Sequence, residues 1–483
     1  MRRKFATNLI FLFAANLLVK PFWIFGIDRV VQNRTGAEEY GTYFAVFNYS
    51  FLLSIILDFG INNFNNRAVS RNHKRSGEYL LNLLLLKSFL AIIYFVVTFI
   101  SAIYTGYSEV QMNMLLFLAI NQILLSVILY FRSNIAALQL FRTDSFLSIL
   151  DRSLTIIFCG YLLWGGAVTD YAFKIEWLIY AQTAALLITA IVAFFIVFRR
   201  TVLKIHLWQF KFTKLVLLKS FPFALLALLM GIYYRIDAVM LERMLPNGAH
   251  EAGIYAASFR LLDALNMFGY LFATLLLPMF AGMIRRKEDV SGLVKFSSEL
   301  MLVMAVVAGV NCYFFRNEIM HLLYHDANDY WAQIFGWLML NFIPMSSIYI
   351  FGTLLTAKGN LKALNFIALG GMVLNVGINL FLIPGYGALG ATIATLITQV
   401  VVAVAHVAVA NRQFKLQYET KELLRITFFC MACVGALLLI TAFTTNWLLG
   451  FGTAIATCLA VAAVAGLIPI HQFTALIKSK ISR

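Results

Sequence analysis

Three glycines of this chain, in the pattern Gly385-x-Gly387-x-x-Gly390, have the spacing of a dinucleotide-binding loop. In such a loop the glycines let the backbone approach a pyrophosphate at the start of a helix, and an acidic residue follows about 20 positions later. Here the first carboxylate after Gly390 is Glu419, and a long apolar run precedes the motif. We therefore predict that these glycines bind no nucleotide, and we predict no cofactor.

Two further patterns could ligate a metal. Cys430-x-x-Cys433 lacks the second pair of ligands that a structural zinc site needs, and all five cysteines of the chain fall inside apolar runs. His321 and His325 stand four residues apart beside Asp326, without a further obvious ligand. We predict buried apolar thiols and a solvated helix face, with no metal site and no catalytic residue.

Isolated charges inside long apolar runs are the strongest chemical signal in the sequence. A charged side chain at mid-depth in a bilayer costs several kcal/mol, so each one is a candidate functional residue. Ammonium and guanidinium groups at such positions would bind an anion, and an arginine can hold a phosphate with two hydrogen bonds. The cations of this kind are Lys20, Lys87, Arg152, Arg235 and Arg260.

Four carboxylates are weaker candidates, for gating or for coupling to H⁺ or Na⁺. They are Asp28, Asp58, Asp237 and Asp263. The first two lie near the ends of predicted spans, where we expect solvation to make a charge inexpensive. The other two allow a structural alternative, in which Asp237 pairs with Arg260 and Asp263 pairs with Arg235.

The composition identifies the elements that must position these charges. Hydrophobic residues make up 61% of the 483 residues and charged residues 12%, and the mean hydropathy is +0.83. A soluble protein of this length would have about 25% charged residues. We predict an all-α integral membrane protein, because its apolar runs have the length of bilayer-spanning helices.

Fourteen spans can be placed along the chain. They cover about 6–27, 40–60, 80–104, 112–131, 146–165, 177–198, 220–242, 253–283, 293–315, 330–356, 363–383, 389–411, 423–443 and 447–470. The eighth span, 253–283, is longer than a bilayer requires, which indicates a tilt or an extension beyond the membrane.

The distribution of Lys and Arg predicts the orientation. Of the 38 such residues, 5 lie deep within spans, 5 lie in one set of loops, and the remaining 28 lie on the opposite side, with Lys295 and Arg425 counted there because they lie at the start of a span. Positive charge marks the cytoplasmic side, so we predict that both termini are cytoplasmic. The same rule accounts for the net charge of +16, and we predict no binding of nucleic acid.

Depth within the spans groups the five cations into two tiers. Lys20, Arg235 and Arg260 each lie about eight residues, or about 12 Å, from the outer end of a span. Lys87 and Arg152 lie at a similar depth from the inner surface, although the flexible chain of Lys87 could also bend to the interface. Lys20 has no acidic residue three or four positions away. It is therefore the best single candidate for an anion site.

An internal repeat indicates two lobes. Residues 26–50 resemble residues 235–262, because an Ile-Asp pair recurs at 27–28 and 236–237 and a Gly-x-Tyr motif recurs at 41–43 and 253–255. Repeated halves are typical of transporters with a substrate site between them. The predicted regions are an N-terminal lobe of six spans (1–198), a basic linker on the inner membrane surface (199–219), a C-terminal lobe of six spans (220–411), and a last segment with two spans and a cytoplasmic tail (412–483).

Two stretches resemble a known family. Residues 233–280 and 355–400 are similar to helices of bacterial polysaccharide flippases, the O-antigen and capsule exporter branch of the multidrug, oligosaccharidyl-lipid and polysaccharide exporter superfamily. The family pattern N-x-x-L-I-P-x-x-G-x-x-G-A is filled by Asn379, Ile383, Pro384, Gly387, Gly390 and Ala391. We expect an outward turn at Pro384 and Gly385, followed by a small-residue helix face for close packing.

The resemblance implies a fold, a cargo and partners. The fold would be a V-shaped alternating-access transporter of two six-helix lobes plus two C-terminal helices. The cargo would be an undecaprenyl-diphosphate-linked oligosaccharide, and its diphosphate would contact the five cations. The partners would be membrane lipids, a coupling H⁺ or Na⁺, a polysaccharide polymerase and glycosyltransferases. The location would be the bacterial cytoplasmic membrane.

Two other functions compete with the flippase. An ion-coupled multidrug antiporter of the same superfamily would share the fold, but cationic drugs favour acidic cavities and this chain has cations within its spans. A membrane-bound polymerase or ligase would need a large outward loop with catalytic side chains. No outward connection here exceeds about 14 residues, so we predict that the chain is not an enzyme.

Overall fold

The computed structural model describes residues 19, 21–62, 65, 76–138, 140–165, 173–200, 210–416 and 419–468. The regular elements in these ranges are helical, and they contain no β-strand. The α-helices are α1 (Arg29–Leu53), α2 (Ser76–Tyr104), α3 (Glu109–Ala137), α4 (Phe141–Trp164), α5 (Ile175–Arg200), α6 (Phe210–Met244), α7 (Gly248–Arg286), α8 (Ser291–Phe314), α9 (Arg316–Leu323), α10 (Asp329–Leu340), α11 (Phe342–Ser347), α12 (Thr353–Lys358), α13 (Leu361–Phe414), α14 (Thr420–Phe443) and α15 (Trp447–Val464).

The described residues contain twelve helical stretches long and apolar enough to cross a membrane. They account for thirteen of the predicted spans, because α13 holds both the eleventh and the twelfth. The first span, 6–27, lies mostly outside the described residues, as do Lys20 and the tail from residue 469. The prediction of an all-helical protein with many spans is confirmed.

Two helices, α1 and α13, each change direction at a glycine. Gly36 in α1 has φ 80° and ψ 169°, and it separates the end of the first predicted span from the second. Gly387 in α13 has φ 55° and ψ −134°. Both conformations lie in the positive-φ region that glycine adopts readily and other residues rarely adopt. The two sharp reversals therefore depend on glycine.

The prediction of a turn at Pro384 and Gly385 was wrong. Helical backbone continues through Pro384, and the break follows at Gly387. Beyond it, the expected close packing is confirmed at Gly390, where an added Cβ would lie 2.5 Å from the carbonyl oxygen of Leu382. The motif thus serves the reversal of the chain and the packing of the two arms of α13.

Contacts divide the chain into two compact units, residues 1–256 and 257–483. The division into repeats at 1–198 and 220–411 rests on the sequence and stays a prediction. Within the linker predicted at 199–219, residues 201–209 lie outside the described residues. The linker residues from Phe210 onward form the first turns of α6, continuous with the seventh span.

The first unit is built around α1, α3, α5 and α6. Helix α3 packs along α5 and α1, and α6 packs along α1. One apolar core joins Tyr130 and Phe131 of α3 to Leu83 and Leu86 of α2, all at most 2% exposed. This core fixes the position of α2, the helix that carries Lys87.

The second unit ends with two helices that pack on α8. Phe429, Cys433 and Leu437 of α14 and Ala454 and Cys458 of α15 are all fully buried in one cluster with α8 residues. Other side chains of α14 are widely exposed, Met431 to 70%. One face of this pair of helices is therefore attached to α8, and another is available to lipid.

Candidate functional site

A cavity of about 230 Å³ lies within the first unit. Its wall comes from the end of α1, from α3 and from α6. The polar side chains in the wall are Ser54, Asp58, Asn62, Gln122 and Ser126, and apolar side chains such as Phe51 and Leu125 complete it. The cavity is therefore apolar with a few convergent polar groups, as ligand sites commonly are.

The predicted second span is broken beside this cavity. After α1, a 3₁₀ turn covers Ser54–Leu57, and Asp58 then leaves the helical conformation. Phe59 and Gly60 follow with φ of 41° and 76°. A non-glycine residue at positive φ is uncommon, and such strain persists where the surroundings hold it in place. The broken span exposes carbonyl groups that an intact helix would use internally.

Lys87 of α2 is bound at this break. Its Nζ atom donates hydrogen bonds to the Leu57 carbonyl oxygen at 3.0 Å, to Asp58 Oδ1 at 3.2 Å and to Ser126 Oγ at 2.7 Å. The Lys87 side chain is 3% exposed, so the alternative in which it bends to the interface is wrong. The structure thus brings together two of the predicted site residues, Lys87 and Asp58.

Arg235 of α6 lies close to the same cavity. Its Nη1 atom donates to Asn48 Oδ1 at 3.1 Å, and its guanidinium lies 4.6 Å from the ring centre of Phe51, a residue of the cavity wall. A guanidinium over an aromatic face gains a cation–π attraction. Arg235 is half-buried.

Arg152 of α4 lies on a different aromatic residue. Its guanidinium is 5.4 Å from the ring centre of Trp23, and its Nε atom is 3.9 Å from Asp151 Oδ2. The Arg152 side chain is 43% exposed. At that separation and exposure the ion pair with Asp151 contributes little, so the cationic charge of Arg152 remains available.

The aspartates of the two repeated Ile-Asp pairs, Asp28 and Asp237, are both buried. Asp28 is 2% exposed and accepts a hydrogen bond from Tyr40 Oη at 2.7 Å, and Asp237 is fully buried and accepts one from Tyr255 Oη at 2.7 Å. The expectation that solvation makes the charge of Asp28 inexpensive was wrong. Hydrogen bonding within the protein replaces water there.

The remaining predicted site residues stay predictions. Arg260 and Asp263 belong to the second unit and are both half-buried, and Lys20 lies outside the described residues. Sequence reasoning missed Ser126 and Gln122 in the cavity wall. Their spacing of four residues within an apolar helix, which puts both on one face, is the signal that could have found them.

Comparison with known proteins identifies the family. A family described as "Polysaccharide biosynthesis protein" matches residues 5–284, more than half of the chain. The chain belongs to this family. A relative, the uncharacterized membrane protein MJ1375 of Methanocaldococcus jannaschii, is 27% identical over 181 residues. That match covers 38% of this chain and 42% of the relative, so the chain spans less than half of the relative's length.

Solved structures of transporters share the fold. The chain is similar to a structure of the lipid II flippase MurJ in an inward closed conformation, with a TM-score of 0.71, 16% identity and 98% of each chain covered. It is also similar to an inward-facing multidrug resistance MATE family transporter of the MOP superfamily, with a TM-score of 0.66 and 12% identity over 84% of this chain and 98% of that chain. The fold is therefore that of membrane transporters and flippases.

Proposed function

We propose that this protein is a flippase for undecaprenyl-diphosphate-linked oligosaccharide units in the assembly of a surface polysaccharide such as an O-antigen or a capsule. Membership in the polysaccharide biosynthesis family and the likeness in fold to a lipid II flippase support this. The protein would act in the bacterial cytoplasmic membrane with both termini in the cytoplasm. Glycosyltransferases would supply its cargo, and a polymerase would use it.

The observation that carries the proposal is the placement of Arg235. Its guanidinium lies on Phe51 beside a cavity within the membrane-spanning helices, and it is half-buried. A diphosphate that crosses the apolar part of a bilayer loses hydration, and a fixed guanidinium can replace it with charge-assisted hydrogen bonds. The apolar wall of the cavity suits the lipid chain next to that diphosphate.

The other cations extend the proposal. Arg152, with its charge available above Trp23, and Lys87 would form an inner station. Lys20, Arg235 and Arg260 would form an outer one, with Asp28, Asp58, Asp237 and Asp263 as gating or coupling groups. Movement of the diphosphate from one station to the other would accompany the change of access.

The second candidate function is a small-molecule antiporter, which the likeness to multidrug transporters supports. One observation favours the flippase. The carboxylate in the cavity wall, Asp58, forms an ion pair with Lys87 and is thereby neutralised. A cavity that binds a cationic drug would be expected to offer an unpaired carboxylate.

Reconstituted vesicles test the proposal directly. A fluorescent polyprenyl-diphosphate glycan is placed in the inner leaflet, and its arrival in the outer leaflet is measured by dithionite quenching. Arg235→Gln should slow the transfer at least about tenfold, since a hydrogen bond to a charged group contributes about 1.5 kcal/mol or more. Arg235→Lys should retain part of the rate, and Arg412→Gln, at an exposed helix end, should have no effect.

Two results would contradict the proposal. One is transfer by Arg235→Gln at the wild-type rate. The other is transport of cationic dyes by the same vesicles with no transfer of the lipid-linked glycan, which would favour the antiporter.

A further inference from the structure

The break after α1 surrounds the ammonium group of Lys87 with oxygen atoms. A backbone carbonyl, a carboxylate and a hydroxyl lie 2.7–3.2 Å from its Nζ atom. An ammonium has three N–H donors, and each has one acceptor here. The ring of Tyr130 lies 5.9 Å from the same nitrogen and adds a cation–π contact. The surroundings of Nζ are those of a bound cation.

The oxygen atoms are held in place independently of Lys87. Ser126 Oγ donates to the Leu57 carbonyl oxygen at 3.2 Å, and the backbone nitrogen of Asn62 donates to Asp58 Oδ1 at 3.3 Å. Neither of these two hydrogen bonds involves Lys87. The side-chain oxygen of Asn62 is itself buried, with no hydrogen-bond partner among the described residues. Asn62 lines the same cavity as Asp58.

The site also opens to the cavity. Asp58, Asn62 and Ser126 all line the cavity wall, and the side chain of Asp58 is 31% exposed. A small solute that enters the cavity therefore meets Asp58 and Ser126, two of the residues that bind Lys87.

We propose that the break after α1 is a binding site for one primary ammonium cation, and that Lys87 fills it as a tethered ligand. The cation neutralises Asp58 and donates a hydrogen bond to the buried carbonyl oxygen of Leu57, and so it holds the unwound segment closed. This role goes beyond cargo binding, because it would be needed whatever the cargo is. The site is laid out for an N–H donor, since its three oxygen atoms lie at hydrogen-bond distance from the ammonium nitrogen of Lys87.

Removal of the lysine leaves Asp58 without its counter-ion. Asp58 is partly buried, and a carboxylate in such a site that loses its partner destabilises the protein. A tethered cation differs from an ordinary buried ion pair in one respect: a free cation of the same chemistry can replace it.

The test uses the full-length Lys87→Ala protein in detergent, with methylammonium as the probe. The midpoint of thermal unfolding should fall by about 5 °C or more in the variant. Methylammonium should restore it in a saturable way, and tetramethylammonium, which has no N–H donor, should not. Lys87→Ala/Asp58→Asn should not respond to methylammonium. The wild-type protein, whose site is filled, should not respond either.

Three results would overturn the proposal: no restoration by methylammonium, equal restoration by tetramethylammonium, or a similar response in the wild-type protein. If Lys87→Ala accumulates too poorly to purify, Lys87→Gln takes its place in the same titration. The readout of this test is thermal unfolding, so its outcome does not depend on glycan transfer or on the function proposed above.

Discussion

Gly41 of α1 packs against the backbone of α7, and Gly253 of α7 packs against the backbone of α1. A Cβ added to Gly41 would lie 1.8 Å from the carbonyl oxygen of Ala249, and one added to Gly253 would lie 1.9 Å from that of Ala37. Each of these alanines stands four residues before the glycine of its own helix. The two helices therefore cross at matching small-x-x-x-small motifs, which let backbones approach closely in a membrane. These are the residues that the internal repeat aligns, and the contact lies within the first unit.

We expect an alanine at either glycine to destabilise the protein. The new methyl group meets a backbone carbonyl that no rotamer change can move, so the helices must separate at a cost of about 1–3 kcal/mol. Gly377→Ala is the control, because its Cβ meets nothing within 4 Å. There the loss of glycine's backbone freedom should stabilise the helix by about 0.5–1 kcal/mol. Urea unfolding in mixed micelles measures the change in the free energy of unfolding for each variant. Stabilisation by Gly41→Ala would refute the close contact.

The tyrosine–aspartate hydrogen bonds should each contribute measurably to stability. Tyr40→Phe and Tyr255→Phe remove a donor that lies 2.7 Å from a buried carboxylate. Hydrogen bonds to charged groups contribute about 1.5–3 kcal/mol, so we expect a loss in that range from each variant. Tyr161→Phe, at a residue 62% exposed, should change the free energy of unfolding by less than about 0.5 kcal/mol. Equal effects at all three positions would contradict the prediction.

Arg243 fastens the loop between α2 and α3 to the end of α6. Its guanidinium lies 3.7 Å from the ring centre of Tyr107, donates to the Thr105 carbonyl oxygen at 3.2 Å, and pairs with Glu242 at 2.8 Å. Burial raises the pKa of the Tyr107 hydroxyl above its usual value, with Arg243 opposing the shift, so the ring stays neutral at physiological pH.

A double-mutant cycle tests this attachment. Arg243→Gln leaves Glu242 as a carboxylate only 10% exposed without its cation, and should cost about 2 kcal/mol or more. Glu242→Gln in the same chain should recover part of that loss, because the unpaired charge is gone. If the loss of stability in the double variant equals the sum of the losses in the two single variants, Arg243 and Glu242 are not coupled.

The last two helices should be held by apolar packing rather than by their ion pairs. Phe429→Ala removes a fully buried ring from the α8–α14–α15 cluster and should cost about 3–5 kcal/mol. Glu422→Ala breaks a partly exposed pair with Lys295 at 2.9 Å and should cost about 1 kcal/mol or less. Thermal unfolding of the two purified variants compares the two losses of stability. A larger loss in Glu422→Ala would show that the ion pair, and not the apolar packing, holds these helices.

The amino-acid sequence by itself determined the class of protein and the thirteen predicted spans that the described residues contain. A bilayer imposes a fixed length and an apolar composition on each crossing helix, so a local pattern is sufficient to find it. Local patterns also identified the in-span cations, because a charge within an apolar run is visible without a fold. The repeat pattern also aligns Gly41 with Gly253.

Only the tertiary structure decided which charges have partners inside the protein. The sequence identified Lys87 as a charge within an apolar run, and folding places it beside Asp58 and Ser126, residues 29 and 39 positions away. Likewise Asp28 is a residue at a predicted span end that folding buries against Tyr40. These environments arise from the packing of several helices around one point. The energy of a charge depends on its three-dimensional neighbours, and a linear pattern does not contain them.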